Sequence, residues 1–149
     1  VRGNQEAVIR TIRRLAAEHI KKGELEIANK MLSNPFSITS TVIKGNKVGR
    51  TIGFPTANMY YPENIIQLPF GVYKAELIDM PAILNWGIKP TVSGNEPIIE
   101  VHIPNFSGDL YGKNLNIKFI KKIRDEHKFE SLDDLKKQIT KDIEECLKS

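Results

Sequence analysis

Between Phe36 and Ile123 the chain is a succession of short β-rich runs, and no helix-length apolar repeat intervenes. The runs are Ser37–Ile43, Thr51–Gly53, Gly71–Asp79, Ala82–Gly87, Ile98–Ile103 and Leu115–Ile123. Turn signals punctuate them: Gly45, Pro62, Pro69-Phe70-Gly71, Pro81, Pro90, Ser93-Gly94-Asn95 and Ser107-Gly108. Consecutive strands without crossover helices pair antiparallel, as a barrel or a sandwich. Closure leaves no sheet edge open to another chain, which favours a small barrel.

Both ends of the chain are helical in pattern. Over residues 5–21, Val8, Ile9, Ile12, Leu15, Ala16 and Ile20 recur at helical spacing, with Arg10, Arg13, Arg14, Lys21 and Lys22 on the other face. Gly23 is a stop, Glu24 to Leu32 reads as a second short helix, and Asn34-Pro35 breaks it. At the C-terminus Ser131 stands three residues before Asp134, a capping-box-like start that uses Asp in place of Glu or Gln. Leu132, Leu135, Ile139, Ile143 and Leu147 form an apolar stripe for packing across the barrel. The expected organisation is a helical segment over 1–35 and a mainly β domain over 36–149.

With 149 residues the chain is long enough for one sizeable core. Lys plus Arg exceed Asp plus Glu by 22 − 18 = 4, a mild excess that suits an anionic ligand and falls short of a nucleic-acid-binding signature. The single cysteine, Cys146, forms no internal disulfide, which points to a reducing cytoplasm. It lies beside the C-terminal stripe as buried filler. No apolar run reaches membrane-spanning length, so neither a membrane nor a nucleic acid is an expected partner.

Three short stretches can carry chemistry. In Gly45-Asn46-Lys47-Val48-Gly49-Arg50-Thr51, three residues separate the glycines where a Walker loop has four, and a strand follows instead of a helix. The physical logic of a phosphate site survives: glycines admit close backbone approach, and Lys47 and Arg50 offset charge. In Pro55-Thr56-Ala57-Asn58 a hydroxyl and an amide oxygen flank a small residue, hard neutral donors of the kind Mg²⁺ accepts. Alone, the stretch reads rather as a turn in which Asn58 bonds backbone amides. The third is Ile98-Ile99-Glu100-Val101-His102-Ile103, where alternation places Glu100 and His102 on one face. Either can act as a base, and spacing does not choose between them. No zinc spacing, nucleophile elbow or dinucleotide glycine pattern is present.

The blocks taken together resemble riboflavin kinases (flavokinases), including the kinase half of bacterial bifunctional riboflavin kinase/FAD synthetases. They are Gly45-x-x-x-Gly49-Arg50-x-x-Gly53-Phe54-Pro55-Thr56-Ala57-Asn58, Gly71-Val72-Tyr73, and Asn85-Trp86-Gly87-Ile88-Lys89-Pro90-Thr91. Glu100-Val101-His102-Ile103, Asp109-Leu110-Tyr111-Gly112, Ile123-Arg124-Asp125-Glu126-His127-Lys128-Phe129 and Ser131-Leu132-Asp133-Asp134-Leu135 follow in family order.

The resemblance implies a six-stranded antiparallel Greek-key barrel with a C-terminal helix and N-terminal linker helices. It implies transfer of the γ-phosphoryl group of MgATP to the ribityl 5′-hydroxyl of riboflavin, giving FMN and ADP. Carried onto this chain, Gly45, Lys47, Gly49, Arg50 and Thr51 cover the nucleotide phosphates, Thr56 and Asn58 form the Mg²⁺ site, and Glu100 becomes the general base. Tyr111 and Gly112 lie in a loop on the substrate side, and Arg124 to Phe129 form a flap near the flavin. One departure lies upstream, where Ser33-Asn34 precede Pro35-Phe36 and the family commonly has Gly-Arg. Two rival readings follow: a flavin-binding regulatory module without catalysis, and a kinase half that depends on an FAD synthetase half. A nucleic-acid-binding barrel ranks last, because no aromatic stacking platform accompanies the basic helix.

Overall fold

The computed structural model describes residues 2–44, 56–91 and 94–148. Helices α1 (Arg2–Lys21) and α2 (Leu25–Met31) precede six strands, β1 (Ser37–Ile43), β2 (Ala57–Met59), β3 (Gly71–Leu77), β4 (Met80–Thr91), β5 (Gly94–His102) and β6 (Asn114–Arg124). Helix α3 (Leu132–Leu147) ends the chain. All strand pairs are antiparallel, and the sheet closes in the order β1-β2-β5-β4-β3-β6.

Period-2 alternation builds the barrel wall. Met59, Tyr73, Leu84, Trp86, Ile99, Val101, Ile117 and Phe119 fill the interior, each essentially without solvent contact. Trp86 donates its indole N–H to the Leu68 carbonyl at 2.9 Å, and the Tyr61 ring stacks on it at 4.7 Å. A buried indole needs such a partner. Tyr73 and Phe119 meet edge to face at 5.7 Å across the core.

Strand β4 is longer than its sequence pattern suggested, because Pro81 and Pro90 lie inside it rather than in turns. Each proline sits where β4 has a single neighbour: Pro81 pairs only Glu76 of β3, and Pro90 only Asn95 of β5. A ring without N–H costs no ladder bond on an unpaired side. The turn itself falls at Ile78-Asp79, between the paired Leu77 and Met80, with φ of 53° and 57°. Positive φ at both central positions is the hairpin requirement of a type I′ turn. The short strand β2 went unseen in the sequence, and the expected strand over Thr51–Gly53 lies outside the described residues.

The helices depart from their patterns in burial. In α1 only Ala16 and Ile20 join the core, while Val8, Ile9, Ile12 and Leu15 are exposed. Gly23 stops the helix as expected, with φ of 80° in the left-handed region. Helix α2 is stapled to the barrel by Asn29, whose amide donates to the Phe119 carbonyl at 2.9 Å and accepts from the Phe36 N–H at 2.8 Å. In α3, Ser131 caps the first turn, its hydroxyl accepting from the Asp134 N–H at 3.1 Å. The buried positions of α3 are Asp142 and Cys146, whereas Leu132 and Leu147 face solvent. Cys146 packs with Val72, Ile83, Ile123 and Ile143 on the outside of the barrel.

Candidate active site

One row of register partners runs around the barrel: Ile43, Asn58, Glu100, Asn85, Val72 and Arg124, one residue from each strand in order. Directly opposed residues of an antiparallel ladder share a face. Their neighbours Met59, Ile99, Val101, Leu84 and Trp86 point into the core, so the row points outward. It does not close on itself, since β6 pairs with β1 only through Asn114–Lys118. The stagger of the barrel thus leaves Arg124 beyond the end of the pairing.

Glu100 lies at the centre of this row, flanked by Asn58 on β2 and Asn85 on β4. Its carboxyl is held above the ordinary glutamate value, first by burial; nearby Lys89 acts in the opposite direction and Glu126 adds to the rise. Asn58 is 5% exposed and Thr56, just before β2, is half-buried. His102, two residues along β5, pairs with Ile83 and shares the outer face with Glu100.

The segment after β6 covers part of this face. Lys89 donates to the Glu126 carboxylate at 3.2 Å, and a Cβ at Gly87 would overlap that carboxylate. Glycine at 87 is therefore what lets Glu126 lie flat against β4. Arg124 is held by Asp142 of α3, its Nε donating to the two carboxylate oxygens at 3.1 and 3.2 Å and its Nη2 at 2.8 Å. Its guanidinium also lies 5.7 Å from the Phe129 ring centre, and Phe129 meets His127 edge to face.

Tyr111 and Gly112 stand elsewhere on the rim, by the end of β1. The Gly112 N–H donates to the Val42 carbonyl at 3.0 Å, and the Lys44 ammonium lies 5.4 Å from the Tyr111 ring centre. Tyr111 is exposed, and its N–H donates to Asp109. Ile43 of the same strand end pairs with Asn58, so this loop adjoins the Asn58 side of the row. Gly45, Lys47, Gly49, Arg50 and Thr51 lie outside the described residues. A groove of about 340 Å³ between Glu76, Asp79 and Asn116 has none of Thr56, Asn58 or Glu100 in its lining.

The riboflavin kinase family model, described as flavokinase, matches residues 32–149. The chain belongs to the riboflavin kinase family. Bifunctional riboflavin kinase/FMN adenylyltransferases match it closely. That of Haemophilus influenzae is 40% identical over 134 residues, covering 85% of this chain and 42% of the relative. Those of Escherichia coli K12 (41% over 123 residues; 79% and 39%) and Bacillus subtilis (40% over 136 residues; 87% and 43%) are similar. The chain thus spans less than half the length of these relatives. Among solved structures, a Streptococcus pneumoniae protein named macrolide-efflux protein superposes with TM-score 0.80 at 32% identity, over 91% of this chain and 46% of that one. Riboflavin kinase from Trypanosoma brucei shares the fold at TM-score 0.51 and 21% identity, over 75% of this chain and 77% of that one.

Within this flavokinase barrel, sequence reasoning gave no individual role to Lys89, Glu126 or Asp142. Asp142 carried a signal, since it is a carboxylate set among Ile139 and Ile143 of the C-terminal stripe and Cys146 beside it. The Lys89–Glu126 pair joins residues 37 apart and left no local trace. Burial pushes the Cys146 thiol up to about 11, which suits the inert filler expected of it. Among the described residues no helix is long and apolar enough to cross a membrane.

Proposed function

We propose that the chain transfers the γ-phosphoryl group of MgATP to the 5′-hydroxyl of the riboflavin ribityl chain, giving FMN and ADP. Family membership supports the reaction, and the placement of Glu100 beside Asn58 carries the assignment of roles. Glu100 orients the hydroxyl and accepts its proton as the new O–P bond forms and the bond to the ADP oxygen breaks. Burial favours this role, because a carboxylate with a raised pKa is a stronger proton acceptor. Phosphoryl transfer passes through a loose transition state, so alignment and charge neutralisation contribute more than base strength.

The Thr56 hydroxyl and Asn58 amide oxygen are the groups that would hold the Mg²⁺ of MgATP. Among the described residues no three His, Cys, Asp or Glu side chains converge. A few neutral donors suit a metal that takes most of its octahedron from phosphate and water. When bound, the metal offsets charge on the transferring phosphates. We assign the Gly45–Thr51 loop, with Lys47 and Arg50, to the nucleotide phosphates. Tyr111, Gly112, Arg124 and Phe129 are assigned to the flavin side.

Residues 36–149 carry the reaction in this reading, and 1–35 form the junction toward an adenylyltransferase half of the kind named in the relatives. The test is incubation with riboflavin and MgATP, followed by chromatographic separation of flavins. FMN that requires ATP and falls roughly 10²–10⁴-fold in Glu100→Gln is the expected result. Wild-type turnover in that variant removes Glu100 from the role. Flavin binding without turnover favours the regulatory module or a kinase dependent on its other half.

A further inference from the structure

Asn85 is the member of the outward row to which no role has been given. Its amide oxygen is fully buried and has no hydrogen-bond partner among the described residues, the only such side-chain atom found there. Buried acceptors are nearly always satisfied, so one left unpaired stores a cost that something else repays. Its place in the sheet says what that is. Across β2, β5 and β4 the order is Asn58, Glu100, Asn85. Asn58 belongs to the nucleotide side and Glu100 to the reacting hydroxyl, so Asn85 lies one strand further on, away from the phosphates.

A strand spacing is about 4.8 Å. That distance from the base matches the interior of a short polyol chain whose terminal hydroxyl is at Glu100. We infer that the Asn85 oxygen accepts a hydrogen bond from an interior ribityl hydroxyl (2′, 3′ or 4′) and so selects for a polyol acceptor. This rests on the kinase reading and on Glu100 as its base. Glu126 lies over Gly87, two residues along β4 on the same face. The acceptor therefore reaches Asn85 when the segment after Arg124 lifts from β4.

The test compares riboflavin with its 2′-, 3′- and 4′-deoxy analogues, on wild type, Asn85→Ala and Asn85→Ser. Wild type should lose roughly 10- to 100-fold in kcat/KM on one analogue, the usual cost of leaving a buried acceptor unpaired in the complex. Asn85→Ala should lose a similar factor on riboflavin, treat that analogue and riboflavin alike, and keep the KM for ATP. Asn85→Ser, which retains an acceptor, should recover part of the loss. Asn85→Ala should also melt at or above the wild-type temperature, because it removes an unsatisfied buried group. A purely structural asparagine would do the reverse. Undiminished discrimination against all three analogues in Asn85→Ala overturns the inference and leaves the kinase reading standing. Absence of FMN from the wild-type chain overturns both, and shows itself before any variant is made.

Discussion

Replacing Asp142 by Ala should destabilise the chain far more than a surface ion pair would. Asp142 is 3% exposed and accepts from Arg124 Nε and Nη2 and from Gln138 Nε2, the last at 2.9 Å. Removing one partner of a buried pair costs about 3–5 kcal/mol, because the other charge is left without compensation. Arg124 keeps 21% exposure and a bond from its Nη1 to the Asp125 carbonyl, which places the expected loss near the low end, about 3 kcal/mol. For a chain of this size that is a fall in Tm of roughly 6–12 °C. Thermal melts and urea midpoints at neutral pH read it directly. The double variant Arg124→Met/Asp142→Leu should recover most of the loss, since apolar replacement of a buried pair is often neutral. A loss below about 1 kcal/mol for Asp142→Ala would put the pair among surface ion pairs and refute the reasoning.

Three further outcomes follow from the same geometry. Glu100 has a raised folded pKa, so its contribution to stability is full below the ordinary carboxylate range and is lost as pH rises through the folded value. Glu100→Gln should therefore raise the urea midpoint at about pH 7 and not at about pH 3, and an equal shift at both would sink the argument. Lys89 lowers the Glu100 pKa and Glu126 raises it, so in the proposed reaction, with Glu100 as its base, Lys89→Met should move the acid limb of the kcat/KM profile upward and Glu126→Gln downward. Shifts in the same direction would show that neither charge acts on Glu100. Ile78→Gly should stabilise the β3–β4 hairpin by about 1 kcal/mol, because a β-branched residue is strained at a φ of 53°. A lower melting temperature would mean that the Ile78 side chain contributes more than the strain costs.

Local patterns were legible wherever the chain solves its problem locally. β1 matches its sequence bounds, Gly23 and Ser131 act as the stop and cap they resemble, and alternation put Glu100 opposite Ile99 and Val101. What the sequence hid depends on who stands next to whom. Pro81 and Pro90 looked like breakers because nothing local says that β4 overhangs its neighbours at both ends. Helical periodicity in α1 marked an apolar stripe but could not say that Val8, Ile9, Ile12 and Leu15 would stay exposed. In α3 the buried face is centred on Asp142 rather than on leucines, because Arg124 from β6 reaches it there. Asn58, Asn85 and Glu100 span 42 residues of sequence, and only the pairing of β2, β5 and β4 places them in one row.

The location of that row follows from the size of the barrel. Six strands enclose an interior that Trp86, Tyr73, Phe119 and Met59 already fill, leaving no room inside for a nucleotide or a flavin. Polar residues that serve a ligand must therefore occupy the alternate positions, which point outward, and an outward site is wet unless something covers it. The cover must come from outside the sheet, and its described parts are the segment after Arg124 and helix α3. Ion pairs fasten it, among them Lys89 to Glu126, Arg124 to Asp142 and Lys121 to Glu145. This arrangement separates two faces along single strands: in β5, Ile99 and Val101 maintain the barrel while Glu100 between them lies on the outward row. A one-residue slip in β5 would exchange them, burying the carboxylate among Trp86 and Leu84 and exporting the isoleucine. The register of β5 is accordingly under two independent constraints, the packing of the core and the alignment of Asn58, Glu100 and Asn85.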